Sequence, residues 1–108
     1  GAFPAWLAPV QVVVIPISEK HIEFSENIFS QLKENGIRAE IDTRSEKVGY
    51  KIREAETQKI PYMCIIGDKE IETDSLSVRK HKKGNIGQQD IDQFIANIND
   101  EIVRRMSH

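Results

Sequence analysis

Two groups of cations in this 108-residue chain have the types and spacing to hold phosphates. One is the run Arg79-Lys80-His81-Lys82-Lys83, closed by Gly84-Asn85. The other is Lys47, Lys51, Arg53 and Lys59, spread along a stretch that reads as a helix. Taken singly, each is also what a solvated helix face with ion pairs carries, as with Lys51 beside Lys47 and Glu54. Taken together, Lys47, Lys51, Lys80, Lys82 and Lys83 form a set able to grip a nucleic-acid backbone. Such contacts position a strand without reading it. Reading needs rings or forked donors. Tyr50 and Tyr62 offer rings for stacking, with Tyr62 better suited to a core. An arginine with a carboxylate nearby suits guanine, because arginine donates twice to O6 and N7 while the carboxylate accepts from N1 and N2.

Other chemistries find no support. There is no glycine-rich phosphate loop, no metal-ligand spacing and no nucleophile with a base beside it. Glu54 and Glu56 stand two apart on a helix and point in different directions, so they are no working carboxylate pair. Cys64 is the only cysteine, which excludes an internal disulfide and fits a reducing, cytoplasmic setting. It lies in an apolar run and reads as a small core residue. No apolar run approaches bilayer length. The formal net charge is -2, so any RNA site must come from a local patch and not from the overall charge.

The elements that must position these groups follow from the apolar pattern. Val10 to Ile17 contains the uninterrupted Val12-Val13-Val14-Ile15, the mark of a buried parallel strand. A helix opens at Ser18 or Glu19 and runs to about Asn35, with Phe24, Ile28 and Leu32 as its core stripe, His21 solvated in its first turn and Gly36 as its cap. Ile37 to Asp42 alternates as a short strand. Ser45 can cap the next helix, where Val48, Ile52, Ala55 and Lys59 share a face. Gly49 early in that helix is explained equally by tight packing on the sheet and by close approach of an RNA chain. Ile60-Pro61 ends the helix. Tyr62 to Ile66 is a continuous apolar run, a central strand covered on both faces. Asp68 to Asp74 forms a turn or one helical turn. Ser75 to Arg79 and Asn85 to Gly87 make an antiparallel hairpin at the sheet edge. The last helix starts at Asp90, with Ile91, Phe94, Ile95, Ile98 and Ile102 on its apolar stripe and Arg104 and Arg105 near its end. Gly1 to Pro9 is a lead-in whose Trp6 and Leu7 need cover, and the abrupt start suggests a piece of a longer protein.

The expected fold is therefore α/β, one domain over residues 1–108. It has a five-stranded mixed sheet, three parallel strands plus an antiparallel pair, flanked by three helices. The basic run, the lysines of the central helix and the end of the third strand are expected to converge at one sheet edge.

Gly49-Tyr50-Lys51-Ile52-Arg53-Glu54-Ala55, Ile60-Pro61-Tyr62 and Gly67-Asp68-Lys69-Glu70 carry a resemblance. They are similar to the C-terminal anticodon-binding domain of class IIa aminoacyl-tRNA synthetases. The opening Phe3-Pro4-Ala5-Trp6-Leu7-Ala8-Pro9-Val10-Gln11 resembles the threonyl branch. The resemblance implies no catalytic residue in these 108 residues and a tRNA(Thr) anticodon loop as partner. It implies ATP, magnesium and zinc in a separate catalytic domain of the parent, which would also form the homodimer. It also implies base readers at Glu70 and Arg79, and further contacts at Ser45, where some members have Asn, and Lys59, where some have Arg. Ser offers one hydroxyl for an amide's donor and acceptor, and Lys lacks the planar fork. Threonine codons vary only in their third base, so G and U of the anticodon would be read. An alternative is a repurposed α/β interaction domain without tRNA binding, against which Glu70 and Arg79 stand together with the basic run. A flavodoxin-like small-ligand domain is disfavoured by the missing glycine-rich turns.

Overall fold

A computed structural model describes residues 8–106, with side chains to Glu101. Trp6, Leu7, Ile102, Arg104 and Arg105 lie outside the described residues or side chains. Strands β1 (Val12–Pro16), β2 (Ala39–Ile41), β3 (Tyr62–Ile66), β4 (Leu76–Lys80) and β5 (Gly84–Gln89) form one sheet in the order β2-β1-β3-β4-β5. β1 runs parallel to both neighbours, with Val12 opposite Ala39 on one side and Tyr62 on the other. β3–β4 and β4–β5 are antiparallel. Three parallel strands and a terminal antiparallel pair are thus present, as the apolar pattern predicts.

The helices are α1 (Ile22–Glu34), α2 (Val48–Thr57), α3 (Asp68–Thr73) and α4 (Ile91–Met106), with a single 3-10 turn over Glu19–His21 ahead of α1. Four helices replace the expected three, because the stretch after Gly67 forms a short helix whose own Glu70 side chain caps its start. Glu70 Oε1 accepts the Gly67 backbone N–H at 2.7 Å, which satisfies one of the donors that a helix start leaves open.

Both faces of the central strands are buried. On one face Val12, Val14, Cys64, Ile66, Leu76 and Val78 pack under α1 and α4, through Ile28, Leu32, Phe94, Ile95 and Ile98. On the other, Val13, Ile15, Met63 and Ile65 meet Ala55 of α2 and Ile60, with Val48 and Ile52 at the margin. Cys64 is a core residue, and burial pushes its thiol well above the usual range. Tyr62 is half-buried and packs against this core. Its ring meets Phe94 edge-on at 5.8 Å and its hydroxyl donates to Glu101 at 3.0 Å.

Helices α1 and α2 end in the same way. After α1, Gly36 takes φ 76° while its N–H reaches Lys33 O and the Ile37 N–H reaches Leu32 O. After α2, Lys59 takes φ 61°, with Lys59 N–H to Glu56 O and Ile60 N–H to Ala55 O. This double bond pattern closes a helix through one left-handed residue. Glycine fits that position freely and lysine does so at a cost. Lys59 therefore does not continue the α2 face as its spacing suggests.

Among the described residues, no helix is long and apolar enough to cross a membrane.

Candidate functional site

The face of the sheet under α2 is only half covered. α2 lies over β1 and β3, while β4 and β5 extend past it. Strand alternation puts Ser77 and Arg79 on that open side, opposite Ile65 and Met63 in register. Across the hairpin Ser77 pairs with Gln88 and Arg79 with Asn85, a register shift falling between Val78 and Arg79. Gln88 Nε2 donates to Glu70 Oε2 at 2.8 Å, and Ser75 Oγ donates to Gln88 Oε1 at 2.7 Å. Hydrogen bonds therefore link Glu70 through Gln88 to Ser75. Ser77 and Arg79 are two residues apart on one face, so about 7 Å separates them.

Glu70 itself is 6% exposed, since its carboxylate both caps α3 and holds Gln88. Each of its oxygens retains a lone pair for a further donor. Arg79 is the opposite case. Its Nε is buried and finds no hydrogen-bond partner among the described residues. The Arg79 guanidinium reaches toward Gly84 at the hairpin turn, while the Glu70 carboxylate holds Gln88 nearer the other end of the hairpin.

The cations divide between the two ends of α2. Helix α2 spans ten residues, so its ends lie about 15 Å apart. At its amino end, beside the carboxyl ends of β1 and β2, Ser45 and Lys47 are exposed. Lys47 is the capping residue, with no side-chain bond closing the helix. Ser45, read as the cap, lies two residues too early. At the carboxyl end of α2 are exposed Lys59 and the turn Lys82-Lys83. Glu56 fixes that turn. Its Oε2 lies 2.9 Å from His81 Nδ1 and accepts the Lys82 N–H at 3.3 Å. The His81 N–H also reaches Pro61 O, which ties the turn to the start of β3. The basic turn therefore does not converge with Glu70, which lies at the other end of β3. Arg79 lies between them.

Two of the expected backbone cations are placed otherwise. Lys51 is 3% exposed, and its ammonium donates to Asp42 O at 3.0 Å and Pro16 O at 3.4 Å. It pins α2 to the ends of β1 and β2 and is not a free cation. Lys80 lies on the other face, its Nζ 5.4 Å from the centre of the Tyr62 ring. His21, expected in solvent, is buried. Its Nδ1 accepts the Ser18 N–H at 3.1 Å, so Nε2 carries the hydrogen and donates to Asp68 Oδ1 at 2.8 Å. That bond, with Lys20, holds the Asp68 carboxyl below the usual carboxylate range. It joins the loop after β1 to the start of α3, the helix that carries Glu70. Gly49 has open space around its α-carbon, so tight packing does not explain it.

One group escaped the sequence reading. Arg44 pairs with Asp42 and with Glu54, and its guanidinium holds the Asp42 carboxyl below its ordinary value. Glu54 in turn lies against the Tyr50 hydroxyl and raises its pKa. The signal was present in the spacing, since Tyr50 and Glu54 stand four apart on one helix face, but Arg44 sits in a loop where no periodicity applies.

The anticodon binding domain family matches residues 11–101, which include the whole sheet and the open face just described. The chain belongs to the anticodon binding domain family. It is 54% identical over 105 residues to a threonine–tRNA ligase of Caldanaerobacter subterraneus subsp. tengcongensis, covering 97% of this chain and 16% of that protein. It is 52% identical over 107 residues to the threonine–tRNA ligase of Clostridium acetobutylicum, covering 99% of this chain and 17% of that protein. The chain thus spans about a sixth of the length of these relatives. The RNA binding domain of threonyl-tRNA synthetase from Cryptosporidium parvum Iowa II superimposes with a TM-score of 0.87 at 29% identity. That match covers 94% of this chain and 26% of the other.

Proposed function

We propose that this chain is the anticodon-reading module of a threonine–tRNA ligase, and that it reads the G and U of the threonine anticodon. The observation behind the reading is that Arg79 and Gln88, the hydrogen-bond partner of Glu70, both lie on the open face of the β4–β5 hairpin. Guanine has the complementary edge groups. Its O6 and N7 accept from a forked arginine, and its N1–H and N2–H donate to a carboxylate. Membership of the anticodon binding domain family and the 54% identity to a threonine–tRNA ligase support tRNA as the partner. Exposed Lys82 and Lys83, with Lys59 at the same end of α2, would hold phosphates, and Ser45 and Lys47 at the other end would serve a further nucleotide.

In this reading the domain positions tRNA and carries out no chemistry. ATP-dependent threonylation, with its magnesium and zinc, belongs to a catalytic domain outside these 108 residues, through which the parent would dimerise in the cytoplasm.

Two substitutions separate reading from gripping. Arg79→Ala should cost roughly 1–3 kcal/mol of binding to a threonine anticodon stem-loop and relax the preference for G. Lys82→Ala should weaken every sequence alike and lower the salt slope by about one. Titration of both variants with matched and mismatched stem-loops at several salt concentrations checks this. Equal losses on every RNA would remove Arg79 from the readers.

A further inference from the structure

Arg44 combines spent donors with a half-exposed side chain. Its Nε donates to Asp42 Oδ1 at 3.0 Å, and its Nη2 donates to Asp42 Oδ2 at 2.8 Å and Glu54 Oε1 at 2.7 Å. Asp42 lies just beyond β2 and Glu54 on α2, so the guanidinium is fixed from two elements at once. It is nonetheless 48% exposed. Its Cζ lies 5.7 Å from the centre of the Tyr50 ring, and Tyr50 is 44% exposed.

A guanidinium shared by two carboxylates has little left to offer a phosphate, because the trio carries a net negative charge. What remains is the outer side of a planar group that lies over the Tyr50 ring and is held from two elements. Bases splayed out of an RNA loop stack on aromatic rings and on arginine planes of this kind. Arg44 also borders a cleft of about 350 Å3 that it shares with Ser45 and Lys51 at the carboxyl ends of β1 and β2. That volume lies within the range of small-ligand pockets, roughly 300–1,000 Å3.

We infer that Arg44 and Tyr50 form a stacking platform for one unpaired base of a bound RNA loop. The inference rests on the anticodon reading above and adds a residue that touches a base face and not its edge. Stacking tolerates any base, so the platform orders the loop while the Glu70–Arg79 pair selects.

The test uses the 108-residue chain and anticodon stem-loops carrying 2-aminopurine at each anticodon position in turn. One position should be quenched on binding. Arg44→Leu and Tyr50→Leu should each abolish most of that quench and weaken binding about fivefold to tenfold. Arg44→Lys keeps the charge and loses the plane, so it should fail as Arg44→Leu does. A brace between β2 and α2 alone would lower the thermal midpoint in Arg44→Leu and leave the quench in place. Tyr50→Leu, at an exposed ring, keeps the test open should Arg44→Leu fold poorly. Bound RNA whose quench survives in Tyr50→Leu and in every folded Arg44 variant overturns the platform alone. Loss of G preference in Glu70→Gln is scored separately, and its absence would count against the anticodon reading. Failure of wild-type protein to bind any stem-loop at low salt would overturn both.

Discussion

Strand β4 carries two chemistries on alternate residues, and its neighbour β3 carries one. In β3, Met63 and Ile65 lie under α2 while Cys64 and Ile66 lie under α1 and α4, so both faces are apolar. In β4, Leu76 and Val78 are fully buried beneath α4, whereas Ser77 and Arg79 face the side that α2 leaves bare. One strand-width separates a closed core from a polar platform. The candidate site arises where a covering helix ends, not from a loop grafted onto the sheet. The same sheet residues that fix the core also fix the register of the readers, because a one-residue slip would exchange the two faces.

The largest effect should come from the buried side of β4. Leu76→Ala should lose about 2–5 kcal/mol of stability, measured by denaturant unfolding, through lost burial and the cavity left behind. Ser77→Ala, one residue along and on the open side, should stay within about 0.5 kcal/mol. Similar losses for the two would erase the difference between the faces.

Lys59 sharpens the contrast differently. It sits in a left-handed position that glycine fills without strain. Lys59→Gly should stabilise the domain by about 0.5–1 kcal/mol while weakening RNA binding at low salt. Paired melting and titration would show stability and binding moving in opposite directions. The same direction for both would mean that Lys59 serves the fold alone.

The smallest effect is a pH dependence. Bonds from Arg44 depress the folded pKa of Asp42, so this pair contributes stability above the ordinary carboxylate range. That contribution should fall as the pH drops below about 4, through the depressed folded value. Arg44→Leu should flatten this part of the acid unfolding profile. An unchanged profile would show that the pair adds nothing to the folded state.

Much of the fold was legible because burial on two faces leaves a plain trace. The β-branched run of β1 and the apolar run of β3 need no alternation to be recognised, and Gly36 and Pro61 mark the ends of α1 and α2. Lys51 was misread for a physical reason. Charged side chains are placed outside by default, yet the buried face of α2 runs through Val48, Lys51, Ile52 and Ala55, with two backbone carbonyls receiving the ammonium. His21 escaped for a similar reason, since its partner Asp68 lies 47 residues away. The basic run, the lysines of α2 and the end of β3 were expected at one edge, yet the cations divide between the two ends of α2. Strand order and helix placement decide that separation, and no local pattern encodes it.

The central claim is that this domain distinguishes a base and does not merely attract a polyanion. Fluorescence titration with a threonine anticodon stem-loop, beside one with its G replaced by C, at low and moderate salt, tests it most directly. The account predicts tighter binding to the G-containing loop at both salts, by roughly tenfold or more for a lost bidentate contact. Equal binding to both loops, weakening together as salt rises, would contradict it.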